Sequence, residues 1–175
     1  MPLLIFVYTI GHSNRDFQSF IDLLKKFNIN LLIDVRKSPS SRKFPHFNKE
    51  YLIKALNKHG IKYVWLGIQL GGWRKLKGTL KTGGCLKSPG FKAYTEHMKS
   101  EEFKKAANLV IKLAKKYRVA LMCSEKLYFR CHRYFLSDWL LVHGVKVYHI
   151  IDFDEVREHK LSRCVKVIDG ELFYD

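Results

Sequence analysis

Proline is scarce in this 175-residue chain, at four residues, and glutamine occurs only at Gln18 and Gln69. No apolar run is long enough to cross a bilayer; the longest covers residues 2–10. No basic segment precedes that run and no small-residue cleavage site follows it, so it reads as a strand and not as an export signal. A cytoplasmic protein with no membrane contact is expected. Acidic residues are also few: 16 Asp and Glu stand against 32 Lys and Arg, a formal charge of +16. Such an excess draws polyanions at long range. Abundant Lys with little Gln also fits the composition of a thermophilic protein, so charge alone leaves both accounts open. The four cysteines, Cys85, Cys123, Cys131 and Cys164, contain no CxxC spacing. Without an export signal, reduced thiols are expected rather than disulfides.

What is present is a globular composition. Hydrophobic residues make up 47% and aromatics 14%, which excludes a disordered or collagen-like chain. The length suits one domain with a core of its own. Residues 3–9 form a continuous apolar, β-rich run that reads as a buried strand, and residues 31–35 read as a second buried strand. Between them Ser13 and Asp16 resemble a capping box ahead of Phe17, Phe20, Ile21, Leu24 and Phe27 at helical spacing. Asn48 reads as an N-cap for a helical stripe that stops at Gly60, and residues 61–66 as a third strand. Residues 67–90 are rich in glycine and basic side chains, including Arg74, Lys75, Lys77, Lys81 and Lys87; a loop of that length is usually functional or mobile. Ser100 caps a predicted helix through about Tyr117. A strand over 118–123, a helix over 131–143 and a strand over 145–151 follow. Two short runs around Asp169-Gly170 suggest a hairpin.

This alternation predicts an α/β fold: a single domain with a mainly parallel sheet flanked by helices, and a small C-terminal hairpin. Residues 1–151 form the expected core and 152–175 an extension packed on it. Ligands of such sheets bind beyond the carboxyl ends of the strands. That rule selects the chemistry-bearing segments.

The densest segment runs from Cys123 to Arg133, from a strand end to a helix start. Unpaired backbone N–H groups there favour an anion, and Arg130, Arg133 and protonated His132 would lower the pKa of a nearby thiol. Cys131 is the better-placed thiolate and Cys123 the other; each could instead be a small packing residue. The spacing from Cys123 to Arg130 is one residue longer than a cysteine-phosphatase loop, with no glycine to shape a phosphate cradle. Glu125 could act as general acid or base, or merely pair with an arginine. His12, after Gly11, could shuttle a proton or pack. Asp34 ends an apolar strand with Arg36 as its natural ion partner, either as a structural pair or as a catalytic carboxylate held by arginine. Arg36, Arg42 and Lys43 interleaved with Phe44 and Phe47, and Trp73 with Arg74 in the next loop, form basic segments with stacking surfaces suited to phosphates and bases. Cys123, Cys131, His132 and His12 could meet at a metal, but adjacent Cys131 and His132 rarely converge on one ion, so no metal and no cofactor is expected.

Four motifs add up to a resemblance. They are Thr9-Ile10-Gly11-His12-Ser13; Asp34-Val35-Arg36 with Pro39-Ser40; Leu66-Gly67 through Gly71-Gly72; and Leu121-Met122-Cys123-Ser124-Glu125 with Cys131-His132-Arg133. In this combination the chain resembles the widespread prokaryotic domain-of-unknown-function family 488, over about residues 8–151. The resemblance implies an α/β domain with these motifs gathered at one site, and it brings no agreed reaction. Cys85 and Cys164 fall outside the motifs.

Three functions compete. The first is an enzyme acting on nucleic acid, such as base or nucleotide hydrolysis in lesion removal. There Asp34 or Glu125 would activate water, His12 and His132 would move protons, and Arg36, Arg130 and Arg133 would hold phosphate. The second is a cysteine-dependent thiol enzyme or redox sensor using Cys131 and Cys123. The third is a non-catalytic nucleic-acid-binding domain. The charge and the convergence of carboxylates, histidines and arginines favour the first. The oligomeric state is not legible.

Overall fold

The structure is a computed structural model that describes residues 3–76, 78 and 84–174. The elements in chain order are β1 (Ile5–Gly11), α1 (Phe17–Lys26), β2 (Leu31–Asp34), α2 (Lys49–Asn57), β3 (Lys62–Trp65), α3 (Gly67–Leu70) and α4 (Pro89–His97). They continue with α5 (Glu101–Ala114), β4 (Val119–Cys123), α6 (Arg133–Val142), β5 (Val145–Asp152), β6 (Glu155–Glu158), β7 (Val165–Ile168) and β8 (Glu171–Tyr174). Lys77, Lys81 and Gly83 of the basic glycine-rich segment lie outside the described residues. Among the described residues no helix is long and apolar enough to cross a membrane.

The continuous apolar runs become the inner strands because both of their faces are covered. β2 and β4 are buried at every position. The six-stranded sheet has the order β3-β2-β4-β1-β5-β6. All neighbours are parallel except β5 and β6. Side chains alternate between the faces of a strand, and the two cores follow that alternation. Leu32, Ala120, Met122 and Ile10 pack with Phe20, Ile21 and Leu24 of α1 and Leu52 and Leu56 of α2. Leu31, Ile33, Leu121 and Val147 pack on the other face with Tyr94 of α4, Phe103 and Val110 of α5, and Leu136 and Leu140 of α6.

This is the predicted α/β architecture, with local departures. The helix start at α1 is capped by Asp16, whose carboxylate accepts from Ser19 N–H at 2.8 Å. Ser13 does not cap; its backbone, at φ 51°, instead donates to Ser124 O at 2.9 Å and joins the β1 and β4 exits. Ser100 caps α5 as the sequence predicts. The strand β6 was not foreseen, because its Glu-Val-Arg-Glu sequence carries no apolar period; it folds back on β5 as an antiparallel edge. The C-terminal hairpin β7–β8 is present, with Leu172 in the core and Tyr174 against Phe135 of α6.

The cysteine expectation is corrected at one pair. Cys85 and Cys164 are joined as a disulfide, because the tail folds back to bring their Cα atoms within 5.4 Å across 79 residues of sequence. Cys123 and Cys131 are free thiols.

Candidate functional site

The strand order fixes where a site can form. From β1 the chain leaves through α1 on one face; from β4 it leaves through α6 on the other. These two strands are neighbours, with Gly11 paired to Cys123. Their loops therefore part at the carboxyl edge and leave a crevice at the topological switch point. Asp34 lies at the same edge, paired to Met122 and Trp65. The crevice is a cleft of about 1040 Å³, walled by His12, Ser13, Arg36, Lys37, Lys43, Phe44, Trp73, Tyr94, Cys123, Glu125, Arg130, Cys131 and His132. Glycine is required where loops close on it: a Cβ on Gly11 would stand 1.9 Å from Glu125 O, and one on Gly67 would stand 1.7 Å from Arg36 O.

At the floor lie two sulfurs. Cys123 ends β4, and Cys131 follows the 3-10 turn Tyr128–Arg130 and precedes α6. Their Sγ atoms are 2.9 Å apart. Cys131 Sγ is also 3.4 Å from His132 Nδ1 and accepts from Arg133 N–H at 3.5 Å. The opposite ring nitrogen, His132 Nε2, is 3.1 Å from Val35 O. A carbonyl only accepts, so Nε2 carries a hydrogen and Nδ1 is the ring nitrogen that faces Cys131. Burial pushes the Cys131 thiol up, but the hydrogen bond from Cys123 and the nearby His132 and Arg133 outweigh it and leave Cys131 well below the ordinary thiol range. Burial and the Cys131 neighbour raise Cys123 well above it. One thiolate and one thiol share the pair.

Arg133 explains the sign. Its side chain is 1% exposed, and among the described residues it has no carboxylate partner. Nη1 donates to Thr9 Oγ1 at 3.1 Å and Nη2 to Glu125 O, while Nε has no hydrogen-bond partner. A buried cation without an anion is costly, by several kcal/mol. The neighbours that favour the charged guanidinium against burial are the two cysteines. A thiolate at Cys131 would supply nearby negative charge that no carboxylate among the described residues provides.

The other predicted residues divide. His12 and Glu125 line the cleft. His12 Nδ1–H donates to Ser13 O at 2.9 Å, leaving Nε2 to accept from Arg36 Nη1 at 3.3 Å. Glu125 is exposed and accepts from Leu127 N–H at 3.1 Å. Asp34 does not reach the cleft. It is 0% exposed, and its oxygens accept from Arg36 N–H, Nε and Nη2 and from Tyr63 OH. It positions Arg36 and has no lone pair spare for water. Lys43, Phe44, Trp73 and Arg130 line the rim, with Trp73 91% exposed. Arg42 is exposed outside that wall. Arg74 is tied to Gly71 O and Ile68 O. Two expected ligands of phosphate or base are corrected. Phe47 is fully buried, its ring stacked on His12 at 4.3 Å and set against Phe20. Arg133 is sealed beneath the sulfurs and faces no solvent.

Sequence reading missed Thr9, His149, His159 and Asp138, all buried. The signal was a polar residue inside an apolar run, as in Tyr148-His149-Ile150 and Ser137-Asp138-Trp139. Burial lowers His12 to about 4, and burial with His159 and Arg133 lowers His149 to about 2. Both rings are neutral at pH 7. Unfolded, each binds a proton near 6.5, so below that pH the unfolded state binds more protons and stability is lost on acidification. Urea unfolding followed from pH 7 to pH 5 is expected to lose about 2 kcal/mol per histidine by pH 5. A flat profile would show that these rings are charged in the fold.

A family model described as Domain of unknown function DUF488 matches residues 16–140. No curated protein and no solved structure matches the chain. The matched span takes in Asp34-Val35-Arg36, Gly71-Gly72 and the segment from Cys123 to Arg133.

Proposed function

The chain belongs to the DUF488 family, whose description assigns no reaction, and from the site itself we propose a cysteine-dependent thiol enzyme or redox sensor acting on an anionic substrate. The observation that carries this reading is the place of Cys131 Sγ, between His132 Nδ1 and Cys123 Sγ and above a buried arginine. Nucleophile, base and a third group orienting the base recur wherever a thiol is activated; here Val35 O orients His132. His132 takes the Cys131 proton, and Arg133 stabilises the thiolate. In exchange with a disulfide substrate, Cys131 attacks one sulfur and expels the other as a thiolate. Cys123 then attacks Cys131 and releases the bound half as a thiol, leaving a Cys123–Cys131 disulfide. Lys37, Lys43 and Arg130 around the mouth favour negative charge on the substrate.

Alkylation of each cysteine by iodoacetamide across pH tests this. Cys131 is expected to label at neutral pH faster than a simple thiol, with Cys123 nearly inert until Cys131 is blocked or replaced. Labelling of Cys131 only in the ordinary thiol range would make the pair packing residues.

A second reading is favoured by the rim. The exposed Trp73 and the Lys43–Phe44 pair, with Lys43 Nζ 5.4 Å from the ring centroid, combine cation and stacking face in a chain of charge +16. They support nucleic acid as the polyanion met at the cleft, either as substrate carrier or in simple binding. Hydrolysis centred on Asp34 is less well supported, because that carboxylate is saturated; Glu125 is the one predicted carboxylate that faces the cleft.

A further inference from the structure

Arg133 is the near end of a buried polar line, none of whose members lines the cleft wall. Its Nη1 donates to Thr9 Oγ1 at 3.1 Å, and Thr9 Oγ1 is 2.6 Å from His149 Nδ1. His149 Nε2 is 2.9 Å from His159 Nδ1, and His159 Nε2 is 2.7 Å from Asp138 Oδ1. Asp138 also accepts from Ser162 N–H at 3.0 Å and from Tyr174 OH at 2.8 Å. The groups come from β1, β5, α6 and the segment after β6. The ring of Tyr128 lies flat on His149, 3.7 Å between centroids.

Asp138 as a carboxylate only accepts, so His159 carries a hydrogen on Nε2. His149 meets His159 at Nε2 and the Thr9 hydroxyl at Nδ1. Thr9 keeps a lone pair for Arg133. A cation at one end and an anion at the other are joined through two buried imidazoles and a hydroxyl. Apolar residues of similar volume would stabilise a fold as well as such a line. Its distinctive product is a guanidinium whose orientation is set.

We propose that Thr9, His149, His159 and Asp138 are positioning residues of the thiol site, which hold the Arg133 guanidinium against Cys123 and Cys131. The inference rests on the thiol reading above. It gives the C-terminal extension a part in the site, since His159, Ser162 and Tyr174 anchor the far end. The groups that face Cys131 are Cys123 from β4, His132 and Arg133 at the start of α6, and Tyr94 from α4. The relay touches only Arg133 among them.

The test is the pH profile of Cys131 alkylation by iodoacetamide in the full chain, for wild type, Thr9→Val, Thr9→Ser and Asp138→Asn, with the fold checked by circular dichroism. Thr9→Val is isosteric and removes the hydroxyl that meets the Arg133 guanidinium. It and Asp138→Asn are expected to move the midpoint of the Cys131 labelling profile up by about one pH unit. Thr9→Ser keeps the hydroxyl and is expected to match wild type. Should Asp138→Asn not fold, Thr9→Val decides alone. Folded Val and Asn variants that titrate like wild type would overturn the relay and leave the thiol reading standing. A wild-type Cys131 that titrates as an ordinary thiol would overturn both.

Discussion

Asp34→Asn is expected to remove about 3–5 kcal/mol of folding stability, the cost of breaking a buried ion pair by taking one partner away. The pair is Arg36 and Asp34, 7% and 0% exposed, with Nη2 to Oδ2 at 2.7 Å and Nε to Oδ1 at 2.9 Å. An amide offers one acceptor oxygen where the carboxylate offers two, so Arg36 and the Tyr63 hydroxyl would compete for it or meet an N–H. The Arg36 charge would stay, since its other partners are the carbonyl of Phe47 and the neutral His12. The damage should spread to the cleft wall, because Arg36 O also accepts from Trp65 Nε1 at 2.8 Å. Urea unfolding measures the loss. If Asp34→Asn were as stable as wild type but inactive on nucleic acid, the carboxylate would be catalytic after all.

That pair shows what one sequence discloses. Asp34 ends three apolar residues, Leu31, Leu32 and Ile33, and Arg36 follows two on, so pairing on one face is a local matter and could be read. The carboxyl-edge rule needs only strand order and helix alternation, and it placed Gly11, Asp34 and Cys123 together. What failed was non-local. Phe47, flanked by basic residues, looks like an exposed stacking face until the 3-10 turn Pro45–Phe47 carries it onto His12 and Phe20. Arg133 beside Cys131-His132 looks like a phosphate ligand, and only the packing of α6 over β1 puts its guanidinium on Thr9, 124 residues away. The relay behind it depends on contacts as distant as Thr9 with His149, 140 residues apart. Its members were visible only as polar residues in apolar company. The Cys85–Cys164 bond likewise depends on where the tail returns, which no cysteine spacing encodes.

Binding of a labelled oligonucleotide is expected to weaken about a thousandfold between 50 and 200 mM salt, the loss for a protein that neutralises roughly six phosphates. Lys37, Lys43 and Arg130 at the wall, with Arg42 and Arg74 close to them in sequence, supply that many cations only with help from the remaining surface excess. The slope should therefore respond to the rim by small steps. Removing Lys43 or Arg130 is expected to lower it by about one contact each and to weaken all sequences alike. Trp73→Ala behaves differently. Its indole carries no charge, so the slope should hold while affinity falls by about 1–3 kcal/mol if a base stacks on it. Cys131→Ser should leave binding unchanged, because Cys131 lies at the floor of the cleft and is 7% exposed. An affinity that ignores salt, or a Trp73→Ala variant that binds like wild type, would take nucleic acid away from the cleft and leave the thiol pair with a small anion as its partner.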